Sequence, residues 1–123
     1  MKIINMARVK EERVVDSLSS LFTGPVTMQN IIGPEVSNNF QVSQVNFKRG
    51  VRNKFHKHDT EQILIVTEGK GIVATDKEEI EVKTGDVIHI AANEKHWHGA
   101  TKDSTFSHLY VWAPGTRTTQ LED

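Results

Sequence analysis

Short runs of apolar and β-branched residues recur along most of this chain, and turn residues separate them at regular intervals. Gln41 to Lys48 carries Val42, Val45 and Phe47 before Gly50 breaks the run. Phe55 to His58 is short and extended. Gln62-Ile63-Leu64-Ile65-Val66-Thr67 is apolar and ends at Glu68-Gly69-Lys70-Gly71. Gly71 to Thr75 and Glu79 to Val82 flank Asp76-Lys77-Glu78, which has the character of a hairpin connection. Val87 to Ile90, a segment around His96, and Phe106 to Trp112 follow. Strands in this order predict an all-β sandwich or barrel, with no alternating β-α units.

The two ends read differently. Val14, Val15, Leu18, Leu21 and Phe22 form a helical stripe that Gly24-Pro25 stops, which predicts either a short helix or an arm across the barrel. The tail, Pro114 to Asp123, is polar and is expected to be loosely ordered. Neither repeat nor linker interrupts the 123 residues, so one domain over 1–123 is expected, large enough to bury a core.

Composition narrows the chemistry. The chain has no cysteine, which excludes thiolate zinc sites, iron–sulfur clusters, disulfides and thiol catalysis. Its 15 basic and 16 acidic residues give a formal charge of -1, so no nucleic-acid partner is expected. The densest basic run, Lys48 to Lys54, surrounds a turn and reads as a solvated face. No run reaches the length of a membrane span, and Met1-Lys2-Ile3-Ile4-Asn5 lacks the long apolar region of a signal peptide. A cytoplasmic protein without a membrane partner is the resulting expectation.

The histidines carry the strongest signal. His56, Lys57, His58 and Gln62 form an H-x-H-x3-Q group, and His96 follows in Glu94-Lys95-His96-Trp97-His98-Gly99. Side chains alternate along a strand, so His56 and His58 share a face. Neutral imidazoles on one face, with a third from a distant strand and a nearby oxygen donor, can close a divalent metal site. Gln62 shares parity with His58, and Glu61 does not; alternation therefore favours Gln62 over Glu61 as the oxygen donor. His98 shares parity with His96 and is expected to face inward. His108 lies in phase with Phe106, Tyr110 and Trp112, on a face that is either pocket wall or apolar core. His89 reads as structural or surface. Trp97, of opposite parity to its neighbours, is expected to pack outside the barrel, as at a subunit contact. Gly50, Gly69 and Gly85 read as turn residues that tolerate a positive φ.

These residues resemble the two motifs of the cupin family, small barrels of the jelly-roll kind. Gly50, His56, His58, Gln62 and Gly69 fall on the first motif without a gap, with Gln62 in place of the usual Glu. Gly85 and His96 fall in register with the second, whereas Ala91, Asn93 and Ala100 depart from its Pro, Gly and Asn. The resemblance covers roughly residues 40 to 112 and implies a cupin double-stranded β-helix.

Gly50-Val51-Arg52, the Glu94-to-Ala100 run and Leu21-Phe22-Thr23-Gly24 are similar to a subset of small single-domain bacterial cupins. That subset includes manganese-dependent cupin hydroxynitrile lyases and relatives found beside carboxymuconolactone decarboxylase-like proteins. The likeness implies one divalent metal per chain at His56, His58, Gln62 and His96, manganese first, with iron, nickel or zinc as alternatives. It implies a pocket lined by His98 and His108, the inward candidates for a catalytic acid or base. The tail here is shorter than in those lyases. Cupins commonly pair, and a barrel of this size has open sheet edges, so a homodimer is expected.

Three functions remain open on this reading. One is a metal-dependent enzyme acting on a small organic substrate by Lewis-acid and proton-transfer chemistry, like a hydroxynitrile lyase. The others are a metal-dependent dioxygenase and a binding module without turnover. Three neutral histidines and a neutral glutamine leave a divalent metal its full formal charge. Such a site favours anionic ligands and redox-neutral chemistry.

Overall fold

The computed structural model describes residues 1–123, apart from the side chains of residues 16–18. Ten strands follow one another: β1 (Glu12–Arg13), β2 (Val26–Ile32), β3 (Gln41–Phe47), β4 (His56–His58), β5 (Gln62–Ala74), β6 (Glu79–Lys83), β7 (Val87–Ile90), β8 (Trp97–Ala100), β9 (Phe106–Trp112) and β10 (Thr118–Gln120). Only two short 3-10 turns, Met6–Arg8 and Asp16–Leu21, supplement them, and no helix is long and apolar enough to cross a membrane. The main path is β1-β2-β3-β9-β5-β6, with β7 and β8 also on β5, and β10 pairs with β4. This is an all-β barrel, one of the two forms expected from the strand spacing, and of the jelly-roll kind that the motif resemblance implied.

The long strand β5 serves both halves of the barrel. Its first half pairs with β7 and β9, and its second half with β6 and β8. The run 62–74 therefore forms one continuous strand, where the sequence suggested two strands parted by a turn at 68–71. At the crossing a register shift between Val66 and Glu68 bends the strand, and Gly69 takes φ 75°. A Cβ on Gly69 would run into the Thr105 carbonyl oxygen. Gly69→Ala combines left-handed backbone strain with that clash and is expected to lower unfolding stability by about 3 kcal/mol. Unchanged denaturation midpoints would contradict this account of the crossing.

The N-terminal segment is an arm: β1 lies antiparallel on β2, and Val14 N–H bonds the Val26 carbonyl. Leu18 of the predicted stripe lies outside the described side chains. β2 carried no clear signal, because Thr27 and Gln29 stand on its outer face and Gln29 is itself buried beneath the arm, donating to the Met6 and Val9 carbonyls. Inside, Val26, Val45, Phe47, Leu64, Val66 and Phe106 form the centre of the core. Phe47 sits among the rings of Phe22, Phe106, His98 and His108, so apolar packing and histidines share one interior.

The tail is ordered, contrary to the expectation from its polarity. β10 pairs with β4, aligning Thr118 with His58 and Gln120 with His56. Beyond it, Leu121 N–H bonds the Phe55 carbonyl, and Glu122 accepts from Phe55 N–H and from the Arg52 guanidinium at 2.7 Å. Those two donors hold the Glu122 carboxyl below its usual range, the Phe55 N–H contributing most. Backbone pairing, which no side-chain pattern announces, is what fastens this segment.

Candidate metal centre

β4 is only three residues long, and it turns His56 and His58 inward while Lys57 faces away. Opposite it, His96 and His56 exchange both backbone hydrogen bonds at 3.0 Å, which brings a distant part of the chain against β4. Gln62 opens β5 and is buried. The ligand atoms of His56, His58 and His96 lie within 4.8 Å of one another. Gln62, not Glu61, faces the interior. Glu61 points outward and bonds His89 Nε2 at 2.7 Å, both side chains being largely exposed.

Each imidazole is fixed by its other nitrogen. Nδ1 of His56 meets the Lys54 carbonyl at 2.6 Å, Nδ1 of His96 the Glu94 carbonyl at 2.7 Å, and Nδ1 of His58 the Thr118 hydroxyl at 2.9 Å. A carbonyl can only accept, so His56 and His96 carry their proton on Nδ1 and offer a lone pair at Nε2. His58 is read the same way, with Thr118 Oγ1 as acceptor. This is the arrangement that orients metal-ligating histidines.

Among the described residues, three buried acceptors then have no donor in hydrogen-bonding geometry: His58 Nε2, His96 Nε2 and Gln62 Oε1, with the Gln62 amide near enough to His58 to favour its charged form. Buried acceptors left unbonded cost about 1–3 kcal/mol each, so native proteins rarely keep them. A divalent cation among three imidazoles and an amide oxygen satisfies all of them and suits this donor set. Burial, assisted by the neighbouring His96, lowers the pKa of His56 to about 3 and that of His58 to about 4. Burial lowers His96 as well. The rings are therefore neutral and ligand-ready at pH 7.

His98 and His108 are also brought to the interior, beside the cluster and not within it. His98 Nδ1 lies 3.0 Å from His108 Nε2, and its ring stands 5.7 Å from that of His56 and 5.8 Å from that of His96. Asn53, which the sequence did not single out, orients His98: its Oδ1 accepts the His98 backbone N–H at 2.8 Å, so its Nδ2 donates to the ring at 3.2 Å. His108 Nδ1 faces the Leu109 carbonyl at 3.2 Å. That bond places the His108 proton on Nδ1 and leaves Nε2 to accept from His98 Nδ1–H. The only lone pair of the His98 ring is then Nε2, the atom on which Asn53 rests. Burial lowers His108 to about 4 and holds His98 well below its ordinary value, with neighbouring His108 as a second cause for His98.

Trp97 and part of the basic run stand where the sequence did not place them. Trp97 is buried and covered by Arg52 of the same chain, whose guanidinium lies 4.5 Å from the ring centre, so it is no open subunit contact. The basic run is likewise only partly a solvated face. Lys48, Arg49 and Gly50 are exposed, whereas Asn53 is buried and Arg52 is engaged by Trp97 and Glu122. His89 is at the surface, as expected.

Thr118 could not be found from spacing, since it lies in a polar tail far from the motifs. Its hydroxyl is the sole support of the His58 ring nitrogen opposite the site among the bonds described. Thr118→Val keeps the shape and removes the acceptor, and should weaken metal binding about tenfold. Chelator competition giving the wild-type affinity would show that β10 does not tune the site.

A cavity of about 190 Å³ reaches His96 between Val73, Ile88, Ile90 and Trp97. A larger one of about 590 Å³ lies elsewhere, under the N-terminal arm. It is lined by Gln29, Gln44, Asn46 and Ser107, whose side chains bond one another.

Comparison with known proteins agrees with the geometry. The family model for the cupin domain matches residues 43–112. An (R)-mandelonitrile lyase from Granulicella tundricola is 37% identical over 70 residues, 56% of this chain and 53% of that protein. The chain thus spans about half the length of this curated relative. A cupin-like protein from Thermotoga maritima superposes with TM-score 0.81 at 34% identity, covering 91% of this chain and 87% of the other. The polyketide cyclase RemF from Streptomyces resistomycificus superposes with TM-score 0.81 over 100% of this chain and 88% of its own; at 22% identity it speaks for the fold alone.

Proposed function

The chain belongs to the cupin family, and on that footing we propose that it is a metal-dependent enzyme acting on a small organic molecule by Lewis-acid and proton-transfer chemistry, in the manner of a hydroxynitrile lyase. The observation that carries this reading is the convergence of His58 Nε2, His96 Nε2 and Gln62 Oε1, buried and unbonded, beside His56. These four residues would hold the metal, which supplies positive charge to polarise an oxygen or steady an anion. Manganese is the proposed metal, on the strength of the motif resemblance.

The chain's own groups complete the chemistry. No donor in the set is negatively charged, so the site keeps its attraction for an anionic ligand. His98 is the proposed base; its Nε2 takes a proton once the Asn53 amide, which donates to that atom at 3.2 Å, turns away. The charge that results is shared through Nδ1–H to the neutral His108 Nε2, which can only accept. Phe47 packs on both rings and Phe106 on His108, and these contacts keep water from that side of the pair.

Metal analysis of purified protein, followed by a cyanohydrin-cleavage assay and an oxygen-uptake assay, tests the proposal. One metal per chain with cyanohydrin cleavage supports it. Oxygen uptake without cleavage would replace it with a dioxygenase, and failure to bind any of Mn, Fe, Ni, Zn or Co would sink it. We further propose a homodimer. Ile63, Ile80 and Val87 are exposed on strands β5, β6 and β7, and a second copy would cover them. Sedimentation should show twice the chain mass; a lone 13.9 kDa species at micromolar concentration would refute this.

A further inference from the structure

Among the described residues, four buried side-chain polar atoms lack a partner: the three acceptors already assigned and Trp112 Nε1. A cation satisfies acceptors. It cannot satisfy an N–H donor, which it repels. The fourth unbonded atom therefore calls for a different ligand atom, one that carries a lone pair or a negative charge.

The position of the ring says where that atom would sit. Trp112 ends β9, and its ring lies 4.9 Å from the His58 ring, edge-on at 72°. The β5–β9 ladder aligns Ile63 with Val111 and Leu64 with Tyr110. One more step of that register sets Gln62 opposite Trp112, on the same inward face as Leu64 and Tyr110. The unbonded donor and the unbonded Gln62 oxygen thus share one end of the barrel. Tyr110 packs on the indole at 4.6 Å and holds the ring in place.

We propose that the Trp112 indole N–H is a ligand-binding donor of this site, and that its ligand is a small anion held between the cation and Trp112 Nε1. This rests on the metal-site reading above and adds the substrate class. A carboxylate, cyanide or alkoxide presents two lone pairs to two different partners, which a cation and an N–H provide together. The formal charge left by three histidines and a glutamine points the same way. The rings of Tyr110, Trp112 and His58 crowd this end, so the ligand is small.

The test uses zinc-loaded protein, with azide as probe and nitrogen-15 in the two tryptophans. Adding azide should move the Trp112 indole N–H signal downfield to saturation and leave that of Trp97 in place. Trp112→Phe keeps the aromatic packing and removes the donor. It should bind zinc as the wild type does and azide about tenfold more weakly. Zinc uptake with an unmoved Trp112 signal, or equal azide affinity in the variant, overturns this inference alone. Failure to take up zinc, and Mn, Fe, Ni and Co in its place, overturns the metal reading and this inference together. A shifted Trp112 signal in protein that cleaves no cyanohydrin supports the anion site and overturns only the lyase.

Discussion

His96→Ala should lose its bound metal altogether, and with it every metal-dependent activity. The side chain supplies one of three imidazoles, and nothing nearby replaces it among the described residues. The fold should survive, because His96 is tied to His56 through backbone N–H and carbonyl groups that alanine keeps. Metal content should therefore fall from one per chain to none while the strand content is unchanged. A ligand that binds only the folded protein stabilises it by about 4 kcal/mol at a thousandfold excess over its Kd. Wild-type protein should melt higher when metal is added, and His96→Ala should not respond. A variant that kept stoichiometric metal would remove His96 from the site.

The same site sets the response to acid. His56 titrates at about 3, and His58 and His108 at about 4, against 6.5 in an unfolded chain. Below pH 6.5 the unfolded chain binds more protons than the folded one. The stability of metal-free protein is therefore full above that pH and is lost as pH falls towards about 3. Metal competes with protons for the same nitrogens, so loaded protein should hold its melting temperature further into this window.

Much of this site could be read before any coordinates. His56 and His58 were assigned one face by parity alone, and alternation chose Gln62 over Glu61 because the period of a strand is two. What the sequence hid has a physical cause in each case. Thr118 to Gln120 are exposed side chains, so they show no apolar alternation; backbone bonds to β4 hold them, and those leave no mark in composition. The long strand β5 looked broken at Gly69 because a glycine at positive φ resembles a turn, though here it bends a strand between two sheets. Asn53 is one amide in a polar run, and only its approach to both the backbone and the ring of His98 gives it a role. Trp97 had the right parity for an outward side chain, but Arg52 of the same chain covers it.

The pair His98 and His108 gives the sharpest test of the proposed chemistry. His98→Ala should keep the metal, since the ring touches the ligand histidines only by packing, yet lower turnover about a hundredfold if it moves the proton. Burial holds the free ring neutral, so a proton is taken only when the charge has somewhere to go. His108 Nε2 is that place, fixed as an acceptor by the bond from Nδ1 to Leu109. His108→Phe fills the same volume and removes the acceptor, leaving His98 Nδ1–H unbonded in the core at a cost of about 1–3 kcal/mol. Its turnover should fall about tenfold or more, in kcat and not in KM, because the lost bond strengthens only as His98 gains charge. The neutral ring holds its Nδ1–H without help from the substrate, so binding should be spared. If both variants turned over a cyanohydrin at the wild-type rate, the two histidines would be packing residues. The proton would then have to leave by a route that does not pass through His98.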